Sequence, residues 1–259
     1  MTSPIHPSAT IDRRAELGPD VIVGPYSVIG PEARIGESAE IGAHVVIEGA
    51  TTIGRGCIIG HGAIIGGSPQ DLKYRGELTR VDVGDATRIR EYATINRGTG
   101  PQGITRIGAR CFLMTYVHVA HDCAIGDDTV IANAVQLAGH VTIGHHAWIG
   151  GSTPIHQFVR VGEHAFVGGG SRVPRDIPPF ARAAGNPLRL CGINVTGLRR
   201  AGFATDVRLA LQRAYRVLFN SDLTRAAALE RVQSMVPLYP EVDRLAAFVA
   251  GSDRGVTVP

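Results

Sequence analysis

For most of its length, every sixth residue of this chain is Ile, Leu or Val. A first run passes from Ile5 through Ile11, Leu17, Val23, Ile29, Ile35, Ile41, Ile47, Ile53 and Ile59 to Ile65. The beat resumes at Val83, Ile89 and Ile95. It then runs from Ile107 through Leu113, Val119, Ile125, Ile131, Leu137, Ile143, Ile149, Ile155, Val161 and Val167 to Val173. An α-helix repeats every ~3.6 residues and a half-buried strand every two, so neither fits. A period of six belongs to a β-solenoid in which each hexad makes one short strand and one corner. The chain is therefore predicted to be mainly β: a parallel β-helix over 1–190, then a C-terminal α-helical domain over 191–259.

The position four residues after each aliphatic is also restricted. It holds Ala33, Ala39, Val45, Thr51, Cys57 and Ala63, and later Cys111, Val117, Cys123 and Thr129. These small or β-branched residues stand two before the next aliphatic, so both slots face the same interior. Three of the four cysteines thus read as buried space-fillers, and the count suggests a reducing compartment without disulfides. Gly often follows the aliphatic directly (Gly24, Gly30, Gly36, Gly42, Gly54, Gly60), which is expected to mark a left-handed corner.

Two segments, 66–82 and 98–106, interrupt the beat and are expected to be loops, which solenoids extrude on a binding face. Beyond Val173, helical spacing covers Thr205–Phe219, Leu223–Val236 and Pro240–Ala250. These helices would cover an open end of the solenoid and its unpaired edges. Net charge is only +3, yet Arg182, Arg189, Arg199, Arg200, Arg208, Arg213, Arg216, Arg225 and Arg231 crowd the junction against Asp206, Asp222 and Glu230. Such a patch suits phosphates or an acidic protein. The N-terminus, Met1-Thr2-Ser3-Pro4, opens no basic-then-apolar stretch, and no apolar run is long enough to span a bilayer. A cytoplasmic protein is expected, without membrane insertion or nucleic acid.

Outward positions of the middle coils hold His118, His121, Asp122, His140 and His156. Three hexads make one coil of about 18 residues, and coils stack at about 4.8 Å. Gly139 therefore falls one coil from His121, with His140 beside it. A histidine paired with a carboxylate is a general base near neutral pH. A glycine corner one coil away can aim a backbone N–H at a developing oxyanion. Cys123 faces inward, so no protein nucleophile stands beside His121. Direct attack by a substrate hydroxyl is expected, without an acyl-enzyme.

The local motifs extend this. Gln70-Asp71-Leu72-Lys73-Tyr74, Ile89-Arg90-Glu91, Asn96-Arg97-Gly98-Thr99, His118-Val119-Ala120-His121-Asp122-Cys123, Leu137-Ala138-Gly139-His140, His156-Gln157-Phe158 and Asn194-Val195-Thr196-Gly197-Leu198-Arg199-Arg200 occur in that order. The hexad repeat resembles the left-handed β-helix acyltransferases. The motifs together resemble the UDP-N-acetylglucosamine O-acyltransferase family of lipid A and lipopolysaccharide biosynthesis, over essentially the whole chain. That resemblance implies transfer of an R-3-hydroxyacyl group from acyl carrier protein to the glucosamine 3-hydroxyl of UDP-N-acetylglucosamine. It implies a homotrimer with active sites between subunits. It also implies no cofactor, the donor riding on the carrier's phosphopantetheine, and no metal.

By the same resemblance His121 matches the base, Asp122 its partner and Gly139 the oxyanion donor. Gln70, Asp71, Lys73, Asn96, His118, His140 and Gln157 match substrate-contacting residues, Asn194 and Arg200 the nucleotide end, and Gly169 the residue that limits acyl length. The chain departs from the pattern where relatives commonly carry His (Asn96), Glu (Thr196) and a second consecutive Arg (Ala201). Four other readings compete: the same reaction on a 3-amino sugar, the pathway's N-acyltransferase, a zinc lyase using His118, His121 and His140, and a non-catalytic solenoid scaffold.

Overall fold

A computed structural model describes residues 5–235 and 238–259. The residues at 1–4, on which the reading of the N-terminus rests, and Val236, the expected end of the second long helix, lie outside the described residues. Most hexads contribute a two-residue strand, and the strands stack into three sheets of eight, eight and ten, parallel except for the terminal strand of the third. We call these face 1 (starting with Thr10–Ile11), face 2 (starting with Glu16–Leu17) and face 3 (starting with Ile22–Val23). The chain turns from face 1 to 2 to 3 and back, and each turn raises it by one strand. Register is in phase with the sequence period: Thr10 pairs with Val28 and Ile11 with Ile29, 18 residues on.

The two restricted slots build the core. Ile29, Ile47, Ile65, Ile95, Val119 and Leu137 are buried on one face of the interior, as are their counterparts on the other two. Burying such a side chain contributes roughly 1.5–3 kcal/mol. Cys57, Cys111 and Cys123 are buried in the small slot. Burial pushes the Cys57 thiol up to about 11 and Cys123 up to about 12, leaving both protonated and inert. Ile11 and Leu17, at the open N-terminal end, are only partly covered.

The corners correct one expectation. None of Gly24, Gly30, Gly36, Gly42, Gly54 and Gly60 has a positive φ. The left-handed residue stands three after the aliphatic, and it is commonly not glycine: Asp20, Tyr26, His44, Tyr92, Asp122 and His140 all have φ between 55° and 60°. The glycine after the aliphatic serves stacking instead. A Cβ on Gly54 would lie 2.6 Å from the Asp85 backbone nitrogen of the next coil. The corner backbones pass too closely for a side chain there.

Both irregular segments leave the coil at the same corner, between faces 1 and 2. The first emerges after Ile64–Gly67 and returns at Arg80–Val83. The second emerges after Thr94–Asn96 and returns at Ile104–Ile107. At the far end, Ala181–Ala184 continues face 3 and pairs antiparallel with Arg189–Ile193. Four helices come next: α1 (Val195–Arg200), α2 (Thr205–Phe219), α3 (Arg225–Gln233) and α4 (Pro240–Ala250). α2 and α4 have the expected bounds, α3 starts two residues later than expected because Thr224 caps it and ends at Gln233, and α1 is an addition to the expected helices. The division drawn at 190/191 falls inside the strand Arg189–Ile193, and the core runs unbroken from Ile193 into Leu198, Leu211 and Leu245. Among the described residues, no helix is long and apolar enough to cross a membrane.

Candidate active site

The corner between faces 1 and 2 gathers most of the singled-out side chains. His121 and Asp122 follow the face-1 strand His118–Val119, and both side chains are 14% exposed. The Nδ1–H of His121 donates to Asp122 Oδ2 at 2.9 Å. This bond fixes the tautomer and leaves Nε2 as the free acceptor. Asp122 is itself held. It accepts from the Thr99 N–H at 3.0 and 3.1 Å and from the Thr99 hydroxyl at 2.7 Å. Its own N–H donates to the buried Thr105 hydroxyl at 2.9 Å. These hydrogen bonds fix the orientation of the aspartate.

Gly139 lies one coil above. A Cβ there would stand 2.5 Å from His121 Cε1 and 2.6 Å from Nε2, so the imidazole occupies the space a side chain would fill. The neighbouring N–H groups of Ala138 and His140 donate to Ile155 and His121 carbonyls. Among the described residues the Gly139 N–H meets no acceptor. A buried, uncommitted N–H next to the free nitrogen of a base is what an oxyanion hole requires. His140 meets the His121 ring edge-on at 5.1 Å and stacks on Phe158 at 4.6 Å. Gln157, one coil above Gly139, is exposed at the same corner.

His118 points outward from face 1, 2.7 Å from the Thr94 hydroxyl. Burial, and then the neighbouring His121, hold its pKa below the ordinary imidazole value, so it is neutral at pH 7. His118 thus stands apart from the group that could gather a metal, which is His121, Asp122 and His140, with ligand atoms within 4.8 Å of one another. The three-histidine set of the lyase reading is not the set brought together. Asn96 is buried, and its Nδ2 donates to the Ser68 carbonyl at 2.9 Å. Gln70, Asp71 and Lys73 ride on the first loop, where the Lys73 N–H caps Asp71 Oδ1 at 2.9 Å. His156 has its Nδ1 2.8 Å from the Arg254 guanidinium in the C-terminal tail. Sequence reasoning did not assign Thr99 to the dyad. Its only signal was a hydroxyl in a motif beside an insertion.

The remaining candidates occupy other corners. Asn194 caps α1, accepting from the Gly197 N–H at 3.1 Å and donating to the His164 carbonyl at 3.0 Å. It lines a groove of about 870 Å³ at the corner between faces 2 and 3, with Asp128, His146, Trp148, Arg182 and Arg200. Gly169 is exposed at the third corner, between faces 3 and 1, with an ideal Cβ 3.2 Å from the Gly151 carbonyl oxygen. One chain therefore presents the His121–Asp122 pair, the Arg-lined groove and Gly169 at three separate corners.

Known proteins share this fold. The family described as "Udp N-acetylglucosamine O-acyltransferase; Domain 2" matches residues 176–257, and the bacterial transferase hexapeptide repeat matches 32–67 and 104–139. The acyl-[acyl-carrier-protein]--UDP-N-acetylglucosamine O-acyltransferase of Syntrophobacter fumaroxidans is 45% identical, over 97% of this chain and 98% of that protein. That of Alkalilimnicola ehrlichii is 47% identical over 73% of each. The crystal structure of the Moraxella catarrhalis UDP-N-acetylglucosamine O-acyltransferase superposes with a TM-score of 0.95 at 43% identity, covering 98% of this chain and 100% of that one. The Bacteroides fragilis enzyme superposes with a TM-score of 0.95 at 39% identity, covering 99% of both. The chain is a left-handed parallel β-helix and belongs to the UDP-N-acetylglucosamine O-acyltransferase family.

Proposed function

We propose that the chain transfers an R-3-hydroxyacyl group from acyl carrier protein to the glucosamine 3-hydroxyl of UDP-N-acetylglucosamine, the first step of lipid A biosynthesis. The carrying observation is His121, bonded through Nδ1 to Asp122 and lying over the uncommitted Gly139 N–H. Nε2 of His121 takes the proton of the sugar hydroxyl as its oxygen attacks the thioester carbonyl. The Gly139 N–H receives the oxyanion, and Asp122 stabilises the imidazolium. On collapse the C–S bond breaks, and the imidazolium returns its proton to the departing phosphopantetheine thiolate. The chain's own residues carry every proton, with no resident cofactor or metal. His118, neutral and next to the dyad, and His140 are placed to contact the sugar, as are Asn96, Gln157 and the loop residues Gln70, Asp71 and Lys73. Asn194 and Arg200 would take the nucleotide end, and Gly169 would bound the acyl chain.

A trimer reconciles the three corners. Exposed outward side chains include Ile22, Ile58 and Trp148 on face 3, beside Glu40 and Arg88, and Val28 and Ile64 on face 1, beside Thr10 and Gln136. Face 2 instead turns Glu16, Arg34 and Arg106 to solvent. Three prisms sharing the corner between faces 3 and 1 would set face 1 of each beside face 3 of the next. Each wedge between them would bring His121 from one subunit towards Arg200 from its neighbour, giving the concave site a ligand needs. We assign the reaction to the cytoplasm, where acyl carrier protein would supply the donor.

Mass spectrometry of the product formed from UDP-N-acetylglucosamine and carrier proteins bearing different 3-hydroxyacyl chains tests the reading. An ester at the 3-oxygen supports it. Amide formation on a 3-amino sugar alone, or loss of turnover on exhaustive chelation, would count against it.

A further inference from the structure

The segment Arg97-Gly98-Thr99 touches both the first loop and the catalytic pair. On one side, Arg97 Nη1 donates to the Gly66 carbonyl at 2.7 Å. Its Nη2 donates to the Ser68 hydroxyl at 3.0 Å and the Tyr74 hydroxyl at 3.2 Å, and the guanidinium lies over the Tyr74 ring at 5.7 Å. The backbone N–H of Arg97 donates to the Gly67 carbonyl at 3.0 Å. Asn96 Nδ2 also holds the Ser68 carbonyl at 2.9 Å, while the loop's Leu72 and Leu78 lie 97% and 85% exposed. On the other side, Thr99 gives both its N–H and its hydroxyl to Asp122.

Between them Gly98 is buried and leaves no slack. A Cβ there would fall 2.2 Å from the Gly103 carbonyl carbon and 2.6 Å from Asp122 Oδ1. A bare backbone is what lets Thr99 come so near the carboxylate. Two residues apart in sequence, Arg97 and Thr99 therefore grip two different parts of the site through a segment that cannot stretch.

We propose that Arg97 and Thr99 are positioning residues for acyl transfer, forming a strap that couples the posture of the loop carrying Asp71 and Lys73 to the orientation of the His121–Asp122 pair. The inference rests on the function proposed above. A displaced loop pulls on Arg97, the pull reaches Thr99, and the Asp122 carboxylate turns with it. Loop engagement by substrate thus sets the base in its working orientation.

The test combines kinetics with hydrogen exchange on the full-length protein. Thr99→Val keeps the side-chain shape and removes the hydroxyl donor to a charged acceptor. It should lower kcat about tenfold with KM for both substrates within about twofold, and Thr99→Ser should recover most of the loss. Arg97→Lys keeps the charge but not the fork. It should raise KM for the sugar nucleotide severalfold and speed amide exchange across the loop. Coupling predicts that Thr99→Val also speeds exchange in that loop, which it does not touch, and that the double variant is not additive. Thr99→Val retaining wild-type kcat, or leaving loop exchange unchanged, overturns the strap. A wild-type protein inactive on this substrate pair would count against the function, while the exchange measurements would still decide the strap.

Discussion

His61, His121 and His145 each stand two residues after the buried aliphatic of their hexad, on three different corners. At two of them the imidazole closes the corner. His61 Nδ1 accepts the Ala43 N–H of the coil below at 2.7 Å, and His145 Nδ1 accepts the Asp127 N–H at 3.0 Å. Asp85 and Asp127 do the same for Arg55 and Ala109. At His121 the register continues from Thr94↔His118 and Ile95↔Val119, which puts Arg97 beneath it. The Arg97 N–H is already spent on the first loop, so there is nothing for His121 to cap. Above it stands Gly139, where His145 has Glu163. The insertion below supplies Thr99 to Asp122, and the glycine above supplies room. At His61, Asp85, Asp127 and His145 the side chain at this slot satisfies a backbone N–H of the coil below that would otherwise go unpaired. The proposed catalytic corner is one where that duty is lifted.

Replacing the three histidines one at a time should break or confirm the contrast most sharply. His121→Ala is expected to lower kcat by about 10²–10⁴ with the fold intact, since it removes the base. His145→Ala should leave kcat near wild type and cost about 1 kcal/mol, the value of one cap, read as a fall in Tm of about 2–4 °C. A large kinetic loss in His145→Ala, or none in His121→Ala, would dissolve the distinction. Next in size is Gly139→Ala. Its Cβ would strike the His121 ring, and the ring can only move away from the reacting position. A loss in kcat of about 10²–10³ is expected, comparable with losing an oxyanion donor, at nearly unchanged melting temperature.

At the third corner the same slot holds Gly169, with neither an imidazole nor a cap. Gly169→Met should shift donor preference towards shorter chains, each excluded methylene costing up to about 0.8 kcal/mol. Competition between carrier proteins of different chain length checks it, and an unchanged preference would remove Gly169 as the limit, leaving the Gly185-Asn186-Pro187 turn as the next candidate.

The coil was legible because Ile, Val and the small slot repeat with the same phase as the strands they form. His121, Asp122, Gly139 and His140 were legible for the same reason, since the repeat converts sequence spacing into vertical stacking. The chain beyond Val173 obeys no such rule. The hairpin of Ala181–Ala184 and Arg189–Ile193 mixes small, basic and apolar residues without a period, and α1 is too short to show one. The position of the left-handed residue was also misread. Close stacking accounts for glycine one residue after the aliphatic at corners such as Gly54, where φ is ordinary, while the left-handed place two residues later takes Asp, Tyr, His and Phe. Thr99 was hidden because an insertion has no register, so nothing in the sequence places it against Asp122.

The smallest expected effect concerns His118, which stands on the face-1 strand beside the His121–Asp122 pair. Burial, and secondly the neighbouring His121, disfavour its imidazolium, so its folded pKa lies below the ordinary value of about 6.5. The unfolded chain then takes up the proton at a higher pH than the folded chain does. The stabilising contribution is complete above pH ~6.5 and is lost as pH falls from there through the folded value. Urea unfolding at about pH 7.5 and about pH 5.5 should therefore show a shallower loss on acidification for His118→Gln than for wild type. The slope should not vanish, because burial lowers the His164 pKa in the same sense at the corner between faces 2 and 3. If His118→Gln loses stability on acidification as steeply as wild type, then His118 is not held neutral by its surroundings. Its placement as an uncharged sugar contact beside the base would then have to be abandoned.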